Sequence, residues 1–388
     1  MHSSPTRTGK VWPRVIGQER VKNLLLSSLR TNRLAHAYLF YGNEGVGKDA
    51  MALELARILQ CENAGEEACD SCSSCIRMNS LQHPDVRFTT ALPVGKGEKI
   101  DDAPLAKLGE AEVRIVQEQF SLKGKNPYHR ISIPKANIIK ISSIRDVRRR
   151  STMSAFSGRR KIFIISRADE MGEEASNTLL KTLEEPGAET ILILTTAYRD
   201  TLLPTILSRC QNVRFDPLTE EEIRMALIGR ENVSMDDASI VARLANGSYT
   251  RAMDLLEADV TRQRHDVVAF VRLALGTNVV GLADEIDRLS DRRDKDATDR
   301  FLSLMLMWFR DVLVMVQGGS VINLDQSDDL KRFIAKFPRA NLIGVVTDID
   351  RAISLVHKNV YIKLVLLQLC VRLKENVLGE AKELRVVL

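Results

Sequence analysis

The feature that most limits what this chain can become is the run Leu39-Phe-Tyr-Gly-Asn-Glu-Gly-Val-Gly-Lys-Asp49. An apolar stretch from Ala37 to Tyr41 leads into Gly42, Gly45, Gly47 and Lys48, and a helical pattern follows at Ala52, Leu55, Ala56 and Leu59. Strand, glycine-rich loop and helix in that order let backbone N–H groups cradle phosphates while a lysine reaches the outer ones. Position 49 breaks the pattern. A working loop carries Ser or Thr there, whose hydroxyl ligates Mg²⁺, whereas Asp49 puts an anion close to the expected triphosphate. A carboxylate can ligate a hard cation, but it also repels phosphates. The residues therefore predict a phosphate loop by descent, with ATP or ADP chemistry impaired or lost.

The chain around this loop alternates. A helix is expected over Val21–Leu29, just after Val15-Ile-Gly-Gln18. Three strand-like runs follow the loop, Asn137–Ile141, Lys161–Ile165 and Thr190–Thr196. Helical stretches at Ile144–Met153 and Glu173–Glu185 separate them, the second stopped by Pro186. Strand and helix in alternation after a phosphate loop predict an α/β fold with a parallel sheet covered on both faces. From about Thr89 to Pro134 the periodicity fades, and a loop of roughly 45 residues does not belong in a compact domain. That stretch reads as an insertion with one helix at Leu105–Phe120 and no recognisable chemistry, a surface elaboration by default. Beyond Pro217 every strong period is helical. No internal repeat or low-complexity tract is apparent. A chain of 388 residues has room for about two or three domains.

Four of the six cysteines crowd into Cys61-x₇-Cys69-x₂-Cys72-x₂-Cys75. Closely spaced thiolates of this kind can close a tetrahedral site with no open position, which indicates structural zinc. Free thiols or a redox pair are the alternatives, and neither accounts for the fourth cysteine. His83 is a conceivable spare ligand, although His83-Pro-Asp85 reads better as a turn leaving the module. No stretch reaches the length of a membrane span, and the polar segment Met1–Lys10 lacks the apolar core of a signal peptide. A cytoplasmic location is expected, where clustered cysteines argue for metal rather than disulfides.

The net charge of +5 permits contact with nucleic acid without demanding it. Basic residues gather at Arg145, Arg148, Arg149 and Arg150, then at Arg159 and Arg160. They form either a face that tracks a DNA backbone or an exposed helix paired with neighbouring acids. No aromatics are interleaved for base stacking.

Two later segments, Leu179-Leu-Lys-Thr-Leu-Glu-Glu-Pro186 and Leu203-Pro-Thr-Ile-Leu-Ser-Arg-Cys-Gln211, carry a specific resemblance. They resemble the clamp-loader branch of the AAA+ ATPases, the gamma/tau and delta-prime subunits of bacterial DNA polymerase III. The resemblance is strong over about residues 14–258 apart from the insertion. It is weaker beyond, where Trp308-Phe-Arg-Asp311 and His357-Lys-Asn-Val-Tyr-Ile-Lys-Leu364 look like the family's collar. It implies an AAA+ domain over 1–216 with a zinc module at 61–75, a helical lid over 217–260 and a collar for assembly over 261–388. It also implies gamma/tau and delta subunits as partners in a hetero-oligomeric ring that places a sliding clamp on primed DNA. On this resemblance Arg148, Arg149 and Arg150 would face the DNA.

The same resemblance implies roles for single residues. Active members end an apolar strand in Asp-Glu, and aligning Ile162–Asp169 on that strand puts Ser166 and Arg167 at those two positions. Arginine cannot act as a base. Asp169 and Glu170 would serve instead only if the pair were shifted past the strand end. Active members also place an arginine three residues after the glycine of Gly247-Ser-Tyr-Thr-Arg-Ala252; here that position holds Thr250, and Arg251 falls one residue later. These departures resemble the non-hydrolysing delta-prime branch. Arg209, within Ser208-Arg-Cys210, is implied to be a finger that reaches a neighbouring subunit's ATP site, the alternative being a surface arginine paired with a local carboxylate. Cys210 reads as a packed small residue, since no histidine stands near it in sequence.

Overall fold

The computed structural model describes residues 12–63, 65–99, 101–157, 159–257, 260–291, 295–319, 321, 326–357 and 360–379. Met1–Lys10 and the Lys358-Asn359 pair of the quoted C-terminal stretch lie outside them. The chain divides into two compact units, one of residues 1–226 with 246–251 and one of 227–245 with 252–388.

The first unit opens with α1 (Glu19–Arg30), β1 (Ala37–Tyr41), α2 (Lys48–Gln60), α3 (Ser73–Met78), β2 (Val86–Thr89) and α4 (Glu110–Lys125). It continues through α5 (Ile141–Ser151), β3 (Lys161–Ile165), α6 (Glu173–Glu184), β4 (Thr190–Thr196), α7 (Pro204–Arg209) and β5 (Gln211–Arg214). The five strands form one parallel sheet in the order β2-β3-β4-β1-β5. All residues of β3 and β4 are buried, as expected where helices cover both faces and the strands read as continuous β-branched runs. One core layer joins Leu39, Ile165, Leu192 and Leu194 to Val147, Leu179 and Ile206. Each such aliphatic contributes about 1.5–3 kcal/mol over its exposed state.

Two expectations shift. Asn137–Ile141 is not a strand: Ile139 makes a lone bridge to Met171, and Ile141 already opens α5. The place beside β3 belongs to β2, whose Thr89 carbonyl accepts the Ser166 N–H at 2.8 Å. Lys140 is drawn inward instead, with its ammonium 2.8 Å from Glu98 and 2.7 Å from the Pro104 carbonyl. The insertion helix runs over 110–125 rather than 105–120. Glu112 starts it by accepting the Gly109 N–H at 2.9 Å, and a carboxylate in the first turn suits the helix dipole.

Next come α8 (Glu220–Glu231), α9 (Met235–Leu244) and α10 (Tyr249–Glu257). The second unit adds α11 (Val260–Leu275), α12 (Val279–Asp291), α13 (Lys295–Val316), α14 (Ser327–Lys336), α15 (Leu342–His357) and α16 (Ile362–Leu378). Helix α13 packs on α11, α14 and α15. Trp308 and Phe309 of α13 meet Phe333 of α14 edge-on, with ring centroids 5.2 and 5.6 Å apart. Among the described residues, no helix is long and apolar enough to cross a membrane.

Candidate functional site

The phosphate loop lies between β1 and α2. Gly42 adopts φ 146° and Gly47 φ 101°, both in territory that favours glycine. A Cβ on Gly42 would stand 2.4 Å from the Phe215 carbonyl oxygen, so the loop can pass β5 only without a side chain there. Lys48 turns back onto the loop and donates to the Gly42 and Asn43 carbonyls, each at 2.6 Å. Burial pulls its ammonium down to about 8, against the nearby charge of Asp49.

Asp49 is fully engaged. Its Oδ1 accepts from the Thr195 hydroxyl at 2.7 Å and its Oδ2 from the Ser166 hydroxyl at 2.9 Å. The Lys123 ammonium stands 2.9 Å from Oδ2. Burial by itself would raise this carboxyl's pKa, but Lys123 and the two hydroxyls outweigh it and hold the group below the usual carboxylate range. Lys123 comes from α4, inside the insertion, and is 5 % exposed. Tyr128, just beyond α4, accepts the Ile16 N–H at 2.9 Å through its hydroxyl. A Cβ on Gly47 would lie 2.7 Å from that same oxygen.

Gly45, Gly47, Lys48, Asp49, Lys123 and Tyr128 line one cavity of about 110 Å³. Small-molecule sites usually offer about 300–1,000 Å³. A larger cleft of about 540 Å³ lies at the β2 edge beside Phe120, Phe156 and Arg150, away from the glycine loop.

The C-terminal end of β3 carries the remaining candidates. Ser166 binds Asp49 rather than standing as an acid. Arg167 takes a left-handed φ of 54° and pairs with Glu170 at 3.1 Å. Asp169 and Glu170 lie past the strand in a short 3₁₀ turn. Asp169 accepts from the Thr196 hydroxyl at 2.5 Å and borders the cavity, while burial raises the Glu170 carboxyl. Thr250 also borders the cavity, and its hydroxyl reaches the Tyr128 carbonyl at 3.4 Å. The Arg251 N–H donates to the Ser248 hydroxyl at 3.2 Å.

Arg209 ends α7. Its guanidinium contacts Glu184 at 2.8 Å and the Thr205 carbonyl at 3.1 Å. Cys210 is packed in the sheet core, where burial pushes its thiol up to about 12. On α5, Arg145 pairs with Asp101, and Arg149 and Arg150 both pair with the buried Asp146. Arg148 borders an open cleft with Arg145, Arg149, Asn177 and Lys181. Arg160 pairs with Glu189, and Arg159 donates to the Cys61 carbonyl.

The sulfurs of Cys61, Cys69, Cys72 and Cys75 all lie within 4.8 Å of one another. A tetrahedral zinc with Zn–S bonds of about 2.3 Å needs sulfurs about 3.8 Å apart, so the donor set fits. The N–H groups of Cys69, Cys72 and Cys75 donate to the sulfurs of Cys61, Cys69 and Cys72 at 3.3–3.4 Å. Such bonds favour thiolates. Backbone and hydroxyl hydrogen bonds from Ser71 lead in bringing the Cys69 thiol down to about 5. His83 takes no part: its Nδ1 accepts the Asp85 N–H at 3.2 Å.

Lys123 and Tyr128 are the site residues that local sequence does not reveal, since neither stands in a motif. A buried carboxylate at position 49 nevertheless requires a cation from somewhere in the chain.

Over 365 residues the chain is 29% identical to DNA polymerase III subunit delta′ of Bacillus subtilis (strain 168), covering 92% of this chain and 97% of that protein. It is also 29% identical to subunit delta′ of Escherichia coli (strain K12), over 61% of this chain and 58% of that one. It is 26% identical to subunit tau of Bacillus subtilis, over 77% of this chain and 49% of that one. The model of the family described as DNA polymerase III, delta subunit, matches residues 17–219, more than half of the chain. The protein therefore belongs to the DNA polymerase III delta-subunit family.

Proposed function

We propose that this protein is the delta-prime subunit of a bacterial clamp loader, a member of the ring that hydrolyses no ATP itself and activates a neighbour through Arg209. The observation that carries the proposal is Asp49. The position that should ligate Mg²⁺ is a carboxylate already paired with Lys123 and hydrogen-bonded by two hydroxyls, which supports a site unable to take up the metal. Near-complete coverage of a delta′ relative supports the same assignment.

Arg209 is suited to act in trans. Its side chain is 36 % exposed, and its Glu184 partner is 48 % exposed. Exchanging so exposed a pair for a phosphate costs little, about 0–1 kcal/mol. The guanidinium fork would then meet charge developing on a γ-phosphate. Gamma/tau and delta subunits are the proposed partners, with a sliding clamp and primed DNA as the objects handled. Arg148, with Arg149 and Arg150, is the proposed DNA-facing set. The Cys₄ cluster is proposed to hold structural zinc, residues 217–260 to form a lid, 261–388 a collar, and the setting is the cytoplasm.

The test is a ring reconstituted with gamma/tau, delta and this chain carrying Arg209→Ala. Removing a finger forfeits roughly 10³–10⁵ in rate at the site it serves, so clamp- and DNA-stimulated ATPase at that site should fall by at least about tenfold. An unchanged rate removes the assignment. Lys48-dependent turnover by the isolated chain would instead make it a gamma-type ATPase.

A further inference from the structure

The insertion reaches the phosphate loop. As α4 ends, the chain folds so that Lys123 and Tyr128 both enter the cavity beside the loop. The Lys123 ammonium contacts Asp49 Oδ2 at 2.9 Å and the His129 carbonyl at 3.0 Å. The Tyr128 hydroxyl lies against Gly47 and binds the Ile16 N–H, and its ring meets Tyr249 edge-on at 5.0 Å. One side chain thus ties together the segment before α1, the glycine loop and the start of α10.

The chemistry at position 49 explains why this is an occupant and not a lid. In a working loop the side chain here holds a hydrated divalent cation. In this chain it holds a cation that is covalently part of the protein. A buried ammonium needs a counter-charge, and a buried carboxylate needs a cation. Asp49 and the insertion therefore account for each other, because each would be unfavourable alone. An incoming nucleotide would have to strip Asp49 of its cation and then set a triphosphate beside the bare carboxylate.

We infer that the segment Lys123–Arg130 is the resident ligand of this phosphate loop, with Lys123 standing where a metal ion would stand and Tyr128 covering the glycine backbone, so that nucleoside triphosphates are excluded by occupancy. The inference rests on the proposed non-hydrolysing site and gives its physical cause.

The test uses the full chain in four forms: unaltered, Lys123→Met, Tyr128→Ala, and Asp49→Thr/Lys123→Met/Tyr128→Ala. Binding of a fluorescent ATP analogue with Mg²⁺ is measured beside amide hydrogen exchange over residues 42–48 and 110–130. The unaltered chain should show no saturable binding. Each single variant should exchange at least about tenfold faster in both windows, with the sheet still protected. The triple variant should gain binding that Lys48→Ala abolishes. Unchanged exchange in both single variants overturns the inference. Saturable binding by the unaltered chain without turnover overturns the inference alone; binding with Lys48-dependent turnover overturns the non-hydrolysing reading as well.

Discussion

Arg209 at the end of α7 and Glu184 at the end of α6 meet at 2.8 Å across the surface of the first unit. The contact leaves the Arg209 side chain 36 % exposed. Exposed pairs of this kind contribute about 0–1 kcal/mol. Glu184→Gln and Arg209→Ala should each leave the unfolding free energy from urea denaturation of the isolated chain within that margin. A loss of several kcal/mol in either variant would make Arg209 a structural residue.

The Asp49–Lys123 pair should behave differently. Both groups are largely buried, and removing one partner of such a pair costs about 3–5 kcal/mol when the other is left uncompensated. Lys123→Met should destabilise the first unit by about 2–3 kcal/mol, discounted because Asp49 keeps two hydroxyl donors. Asp49→Asn/Lys123→Met should recover part of that loss in a double-mutant cycle. The pH dependence follows in sign. The folded carboxyl lies below its unfolded value of about 3.9, so its stabilisation is complete above that value and fades as the pH falls through the folded pKa. Denaturant curves taken at descending pH should show that decline, and Asp49→Asn should remove it.

Metal removal separates the cysteines. With the proposed zinc stripped by a chelator, Cys69 should alkylate first at neutral pH, because its thiol is brought down to about 5. Cys210 and Cys370 should stay unreactive until the protein unfolds, since burial pushes both thiols up to about 12. Mass spectrometry of iodoacetamide adducts reads the order directly. The metal-free protein should lose exchange protection over residues 61–78 while β1, β3 and β4 keep theirs.

Gly124 offers a purely steric test. A Cβ there would lie 2.4 Å from the Asn79 carbonyl oxygen, and Asn79 also accepts from Arg57 at 2.8 Å and Arg14 at 3.3 Å. Gly124→Ala must push α4 away from the end of α3 and lift Lys123 with it. A loss of about 1–3 kcal/mol is expected from overpacking, together with faster exchange over residues 110–130. Unchanged stability would mean that α4 is not anchored there.

Much of the first unit was legible in the chain. Gly42 through Lys48 announced the strand–loop–helix, and Lys161–Ile165 and Thr190–Thr196 stood out as buried strands. Four cysteines at short spacing announced their own cluster. Val86–Thr89 and Gln211–Arg214 were not legible, because four residues are too few to show a period. Asn137–Ile141 misled for a related reason: its apolar residues serve a single bridge and a helix start. Lys123 was hidden more deeply. Its partner lies 74 positions earlier, and no local rule joins a lysine in an irregular segment to the residue after a phosphate loop.

The burial of Lys123 also bears on ancestry. Changing Asp49 to threonine would strand an ammonium in the protein interior, and changing Lys123 first would leave a carboxylate without its cation. Either single step toward an active ATPase passes through a less stable protein. On the proposed non-hydrolysing reading, each step would be resisted by the stability it costs, and the pair would act as an evolutionary ratchet.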